Sequence, residues 1–130
     1  MPVIRQWTFC LLIAFFCLTG CGEQRSIHHI LREVGPANLR RETIEVCGTA
    51  FNANAAQKIP NELWPASARS FQPLGLWAEP DGAYILLDSD ADGERGIFLP
   101  RIVSDKDPVC GPKLTHVKLA EGIYSYETKR

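Results

Sequence analysis

Residues 74–88 read Leu74-Gly-Leu-Trp-Ala-Glu-Pro-Asp-Gly-Ala-Tyr-Ile-Leu-Leu-Asp88. Two runs, Leu74 to Glu79 and Ala83 to Asp88, flank Asp81-Gly82. An Asp-Gly pair between β-type runs is a strong signal for a tight hairpin, because the primed turns need positive φ. A two-residue loop there is expected to pair Glu79 with Tyr84 and Trp77 with Leu86. Side chains alternate along a strand, so Leu76, Ala78, Ile85 and Leu87 gather on the opposite face from Trp77 and Tyr84. Both faces of this hairpin are therefore largely apolar, and each needs cover.

Further strands are expected at Gly96 to Val103, Leu114 to Leu119 and Ile123 to Thr128, with Glu121-Gly122 turning the last pair. Upstream the period changes. Ser26 can cap a helix from Ile27 to Val34, which Gly35 ends. Pro36 suits the first turn of a second helix. Leu39, Thr43, Cys47, Ala50 and Phe51 recur at three and four, with Arg40, Arg41, Glu42 and Glu45 mostly on the other side. Cys47 falls mid-helix in this pattern. Residues 52–73 are irregular and rich in Asn and Pro, with a helical turn expected at Pro65 to Ser70 and Leu63 and Trp64 plugging the core. The reading is α+β: N-terminal helices packed on an antiparallel meander of about five strands.

The chain has 130 residues, 45% apolar, with 14 basic and 15 acidic side chains. This fits one globular domain, and a charge near zero gives no bulk electrostatic case for nucleic acid. The N-terminus is different in kind. Trp7 to Leu18 is a twelve-residue run with only Thr8 polar. Spanning a bilayer takes about 20 helical residues, so the run matches the apolar core of a signal peptide instead. Leu18-Thr19-Gly20-Cys21 follows and resembles the lipobox of bacterial lipoprotein precursors. The resemblance implies a diacylglyceryl thioether on Cys21, cleavage between Gly20 and Cys21, and acylation, for example by palmitate, of the new amino group. Acyl chains contribute about 0.8 kcal/mol per buried CH₂, enough in pairs to hold a protein on a membrane. Gly22 in place of the inner-membrane aspartate implies the outer membrane, facing the periplasm, in a two-membrane cell. The expected organisation is a signal at 1–20, a lipidated tether at 21–25 and one domain at 26–130.

Of five cysteines, Cys10 and Cys17 leave with the signal and Cys21 carries lipid. Cys47 and Cys110 remain, outside the cytoplasm, and are expected to form a disulfide; two separate thiols are the alternative. Closing a loop of about 60 residues would stabilise the fold by roughly 4 kcal/mol.

Few motifs carry chemistry. Asp88, Asp90 and Asp92 with Gly93 match the opening of an EF-hand calcium loop, but its twelfth position is Leu99 and its eighth Arg95. A solvated hairpin tip is the simpler reading, and weak calcium binding the alternative. His28 and His29 point about 100° apart on a helix and cannot easily share a metal. His116 alternates with Lys118 and is expected on a solvent face. There is no nucleophile elbow, zinc-protease motif or phosphate loop, and no cofactor or enzymatic activity is expected. Trp77, Tyr84, Phe98, Tyr124 and Tyr126 can share one sheet face, either as core or as a gripping surface for a protein or glycan.

Ile59-Pro-x-x-Leu-Trp-Pro65, Phe71-x-Pro-Leu74, Asp81-Gly-Ala-Tyr-Ile85, Gly96-Ile-Phe-Leu-Pro100 and Gly122-Ile-Tyr-Ser-Tyr126 together resemble a group of small uncharacterised bacterial proteins. That resemblance supports the strand placement and implies no activity or site residues. The functional expectation is an anchored binding domain whose partner is another envelope protein. An immunity-type protector against a toxin and a weak calcium module are the alternatives.

Overall fold

The computed structural model describes residues 26–53 and 55–130. The expected signal peptide and tether, with Cys21, lie outside the described residues. Helix α1 spans Ile27–Val34 and α2 spans Pro36–Cys47. Ser26 Oγ accepts from the His29 N–H at 3.2 Å, closing the first turn of α1. Gly35, at φ +83°, ends α1 and hands the chain to Pro36. Leu39, Thr43 and Cys47 form one buried stripe on α2. Cys47 is the last helical residue and not a mid-helix one. Gly48 follows it, and a short 3₁₀ turn at Ala50–Asn52 continues the stripe through buried Phe51.

The sheet has six antiparallel strands: β1 (Gln57–Lys58), β2 (Gly75–Glu79), β3 (Gly82–Asp90), β4 (Gly93–Pro100), β5 (Leu114–Ala120) and β6 (Ile123–Thr128). Their order is β1-β2-β3-β4-β6-β5. The α+β class is as expected, with one more strand, and the meander holds only as far as β4. Residues 101–113 then carry the chain past the next position, so β5 takes the edge and β6 returns beside β4. Composition explains the exchange. Ile123, Tyr124 and Tyr126 of β6 are buried, whereas Thr115, Val117 and Lys118 of β5 are exposed, and a charged edge strand discourages further pairing.

The β2–β3 hairpin turns one residue earlier than its sequence signal. Glu79 pairs with Gly82 and Trp77 with Tyr84, so the loop is Pro80-Asp81. Neither loop residue has positive φ, nor does Gly82. A proline followed by aspartate suits an ordinary type I geometry. Gly82 serves close approach instead: a Cβ there would stand 2.3 Å from the Leu99 carbonyl oxygen on β4. The register differs from expectation by two residues, an even number, so every side chain keeps its expected face.

The helices cover one face of the sheet. Leu76, Ala78, Ala83, Ile85, Ile97, Leu99 and Ile123 meet Leu31, Leu39, Cys47 and Phe51 there. The irregular segment seals the side of this core. Helix α3 (Ala66–Arg69) is tied to α2, where the Glu42 carboxylate accepts from Ser67 Oγ at 2.6 Å and from the Ser67 N–H at 3.4 Å. Trp64 packs against the core and donates Nε1–H to the Ile59 carbonyl at 3.0 Å. Leu63 does not plug the core. It ends a 3₁₀ turn that aims it outward, 57% exposed, and Ile59 and Phe71 fill the space.

The expected disulfide is absent. Cys47 lies in the helix-side core, and Cys110 is exposed in the 101–113 segment beside β5. Cys110 Sγ accepts the His116 N–H at 3.3 Å, on the backbone of the edge strand β5. One thiol is sealed in the helix-side core and the other is exposed at the edge of the sheet, and both remain free. Burial pushes the Cys47 thiol up to about 11. We expect a thiol reagent to label Cys110 in the native protein and Cys47 only on unfolding, as read by peptide mapping. A crosslinked Cys47–Cys110 peptide would contradict this arrangement.

Thr43 Oγ1 is buried without a hydrogen-bond partner. Removing a desolvated, unpaired hydroxyl is favourable when the shape is kept. Thr43→Val is therefore expected to raise stability by about 1 kcal/mol, or roughly 5 °C in Tm, in thermal and urea unfolding.

Candidate functional site: the aromatic face of the sheet

The face away from the helices is built by register. Trp77 stands opposite Tyr84, Tyr84 opposite Phe98, and Phe98 opposite Tyr124, while Tyr126 lies between Gly96 and His116. All five aromatic residues expected to share a face do so. Tyr84 stacks on Phe98 at 4.6 Å between centroids and meets Tyr126 edge-on at 5.3 Å. Two glycines seat the rings. A Cβ on Gly75 would fall 2.1 Å from the Trp77 ring, and one on Gly96 would fall 2.8 Å from the Tyr126 ring. Rings lying over strand glycines cover backbone that would otherwise be bare.

His116 belongs to this cluster and not to a solvent face. Its ring is 5.3 Å from Phe98 and 6.4 Å from Tyr124, and neither ring nitrogen has a hydrogen-bond partner. Alternation with Lys118 placed both side chains on one face correctly. It could not reveal that residues 101–113 fold over His116 while Lys118 reaches out to Glu121 at 3.3 Å. Burial lowers the His116 pKa, partly offset by the Asp81 charge. His28 and His29 are exposed on α1, and His29 pairs with Glu33 at 3.0 Å.

The face has a roofed half and an open half. Over Phe98, Tyr124 and His116 lies the 101–113 segment, held by Asp107, whose Oδ1 accepts the Tyr124 hydroxyl at 3.1 Å. A cavity of about 380 Å³ remains under it. The open half holds a second pocket of about 380 Å³ beside Trp77, Tyr84 and Tyr126, with Glu79 and Glu94 in its wall. The two pockets share Tyr84 and Leu114. Comparison with family models, curated proteins and solved structures finds no match for this chain. The site is therefore read from its own geometry.

Hydroxyl chemistry on this face is restrained. The Tyr84 hydroxyl donates to Asp81 Oδ2 at 2.9 Å, and burial, with that acidic partner, pushes its pKa upward. Tyr126 is likewise pushed upward, first by burial and then by the charges of Glu94 and Glu79. These phenols stay protonated, as contact surface and hydrogen-bond groups.

Asp88, Asp90 and Asp92 have structural partners in the hairpin that holds them. Asp90 Oδ1 accepts the N–H groups of Asp92 at 2.8 Å and Gly93 at 3.1 Å, which caps the β3–β4 turn and lowers its pKa. The Arg95 guanidinium stands 3.3 Å from Asp90 and 4.0 Å from Asp88, where a cation would be needed. Among the described residues no three His, Cys, Asp or Glu side chains converge on a metal position.

A histidine with a lowered native pKa contributes stability fully present above its unfolded value near 6.5 and lost as pH falls through the lower native one. We expect the unfolding free energy to drop as pH falls from about 7 to 5. His116→Gln should remove that part of the pH dependence in paired urea titrations. Parallel pH profiles for the two proteins would contradict it.

Proposed function

We propose that this chain is a lipid-anchored bacterial envelope protein that acts by binding, with the aromatic sheet face as its contact surface. The observation that carries the anchor is Leu18-Thr19-Gly20-Cys21 directly after a twelve-residue apolar run. No helix among the described residues is long and apolar enough to cross a membrane, so on this reading the attachment comes from acyl chains on Cys21. Gly22 favours the outer membrane, facing the periplasm, in a cell that has one.

The binding part of the reading is supported by what the fold leaves uncovered. Trp77 and Tyr84 are only half-buried, on a sheet whose described helices all lie behind them. Ile102 and Val109, 77% and 89% exposed, extend the apolar surface from the roofing segment. Aromatic side chains with apolar neighbours and a polar rim make up the centres of protein interfaces. The partner expected is another envelope protein.

Two measurements test this. Cys21→Ser should abolish labelling by radioactive palmitate and leave the precursor uncut by the lipoprotein signal peptidase; normal labelling and processing would end the anchor reading. For the face, a photo-crosslinking residue at Val109 should capture a discrete membrane partner. Trp77→Ala, at a site of the kind that contributes 2 kcal/mol or more in interfaces, should reduce capture by about thirtyfold. Capture equal to that from a crosslinker on α1 would count against it.

A further inference from the structure

We propose that the pocket beside Trp77 is a binding site for a small organic ammonium, a charged amine carrying short alkyl groups. This rests on reading the aromatic face as the binding surface and names the ligand chemistry of its open half.

Three observations converge. First, the walls are electron-rich rings: Trp77, half-buried Tyr84 and Tyr126, whose rings present negative π-faces to a cation. Tyr84 and Tyr126 meet edge to face, so the two ring planes are nearly perpendicular and form a corner. Second, Glu79 and Glu94 both line this pocket, and among the described residues neither is in an ion pair. Burial and the Asp81 charge push the Glu79 carboxyl upward, as befits an acid awaiting a counter-charge. Both carboxylates also act on the Tyr126 hydroxyl, which places them around one ring. Third, the protein already sets an ammonium on this surface. Lys58 Nζ stands over the Trp77 ring, 5.6 Å from its centroid.

Charge and shape together select the ligand. A bare metal ion would find only two carboxylates here, since no group of three His, Cys, Asp or Glu side chains that could hold one occurs among the described residues. An anion would meet two negative walls. An alkylammonium satisfies both, its charge between rings and carboxylates and its methyl or methylene groups against Leu86 and Leu114. Lys58 then acts as an internal competitor for the Trp77 ring.

The test uses the whole chain in a polyoxyethylene detergent, which carries neither amine nor sugar. Calorimetry is run with choline, with its neutral isostere 3,3-dimethylbutan-1-ol, with glucose, and with glycerophosphoethanolamine as a lipid headgroup. Choline should bind in the low millimolar range and the isostere at least about tenfold more weakly, the difference a desolvated cation–π and ion contact makes. Glu79→Gln and Glu94→Gln should each weaken choline by roughly five- to twentyfold, with a melting temperature no lower than that of the parent and unchanged circular dichroism. Lys58→Met should strengthen it a few-fold. Glycerophosphoethanolamine binding as well as choline assigns the site to headgroups; weaker binding assigns it to free amines.

Equal binding of choline and the isostere would overturn the proposal. So would preferential binding of glucose, no heat up to about 20 mM choline, a concentration well above the expected constant, or indifference to both glutamine variants. These readouts are independent of the capture at Val109. Loss of choline binding with capture retained removes only the ligand class, and capture lost with choline binding retained removes only the protein partner.

Discussion

A β-sheet has two faces, and the described helices of this chain cover only one. Every strand from β2 to β4 carries apolar residues on both sides, so the second face cannot simply be left to water. The chain closes it with its own rings. Trp77 lies across Gly75, Tyr126 across Gly96, and Tyr84 and Phe98 stack on each other, so bulky side chains fold down onto the sheet instead of standing off it. Phe98, Tyr124 and Tyr126 are thereby buried without a second helical layer among the described residues.

The exchange of β5 and β6 follows from the same constraint. Tyr124 and Tyr126 must sit inside the sheet, beside Phe98 and Gly96, for the ring cluster to close. A simple meander would have put β5, with its exposed Val117 and Lys118, in that place and left the tyrosines on the rim. Moving β6 inward obliges residues 101–113 to run past it, and that run becomes the roof over Phe98 and Tyr124. The hydrogen bond between Tyr124 and Asp107 links the two consequences, since the strand exchange brings the phenol beneath the segment that carries its acceptor.

What was legible in the sequence is what local chemistry determines. Ser26, Gly35 and Pro36 mark helix ends through their own backbone demands, and Ile123 to Thr128 alternates cleanly enough to place both strand and faces. The Pro80-Asp81 turn was misplaced by one residue because glycine has two uses, positive φ and close approach, and only the neighbouring β4 distinguishes them. Strand order and the fate of the cysteines are non-local. Nothing in the spacing of Cys47 and Cys110 says that one will be sealed in the core and the other exposed beside the edge strand, nor does His116 next to Val117 announce a roof. The aromatic face itself was legible, because alternation is preserved under a register shift of two. Its division into a roofed and an open half was not, since that depends on where residues 101–113 cross.

The uneven roof also explains the chemistry of the open half. Where the roof lies, the phenol of Tyr124 finds an acceptor in Asp107, whereas the ring nitrogens of His116 find none. Beyond it, Glu79 and Glu94 flank Tyr126 with no such partner among the described residues. Two acids beside a buried phenol raise the electrostatic cost of the folded state, and a surface meant only to shield the sheet would gain by replacing them with neutral side chains. Retaining them makes sense when a cation enters from outside, because its charge relieves both at once and the rings already present a favourable face to it. The self-made cover of the sheet thus ends where a site for another molecule begins.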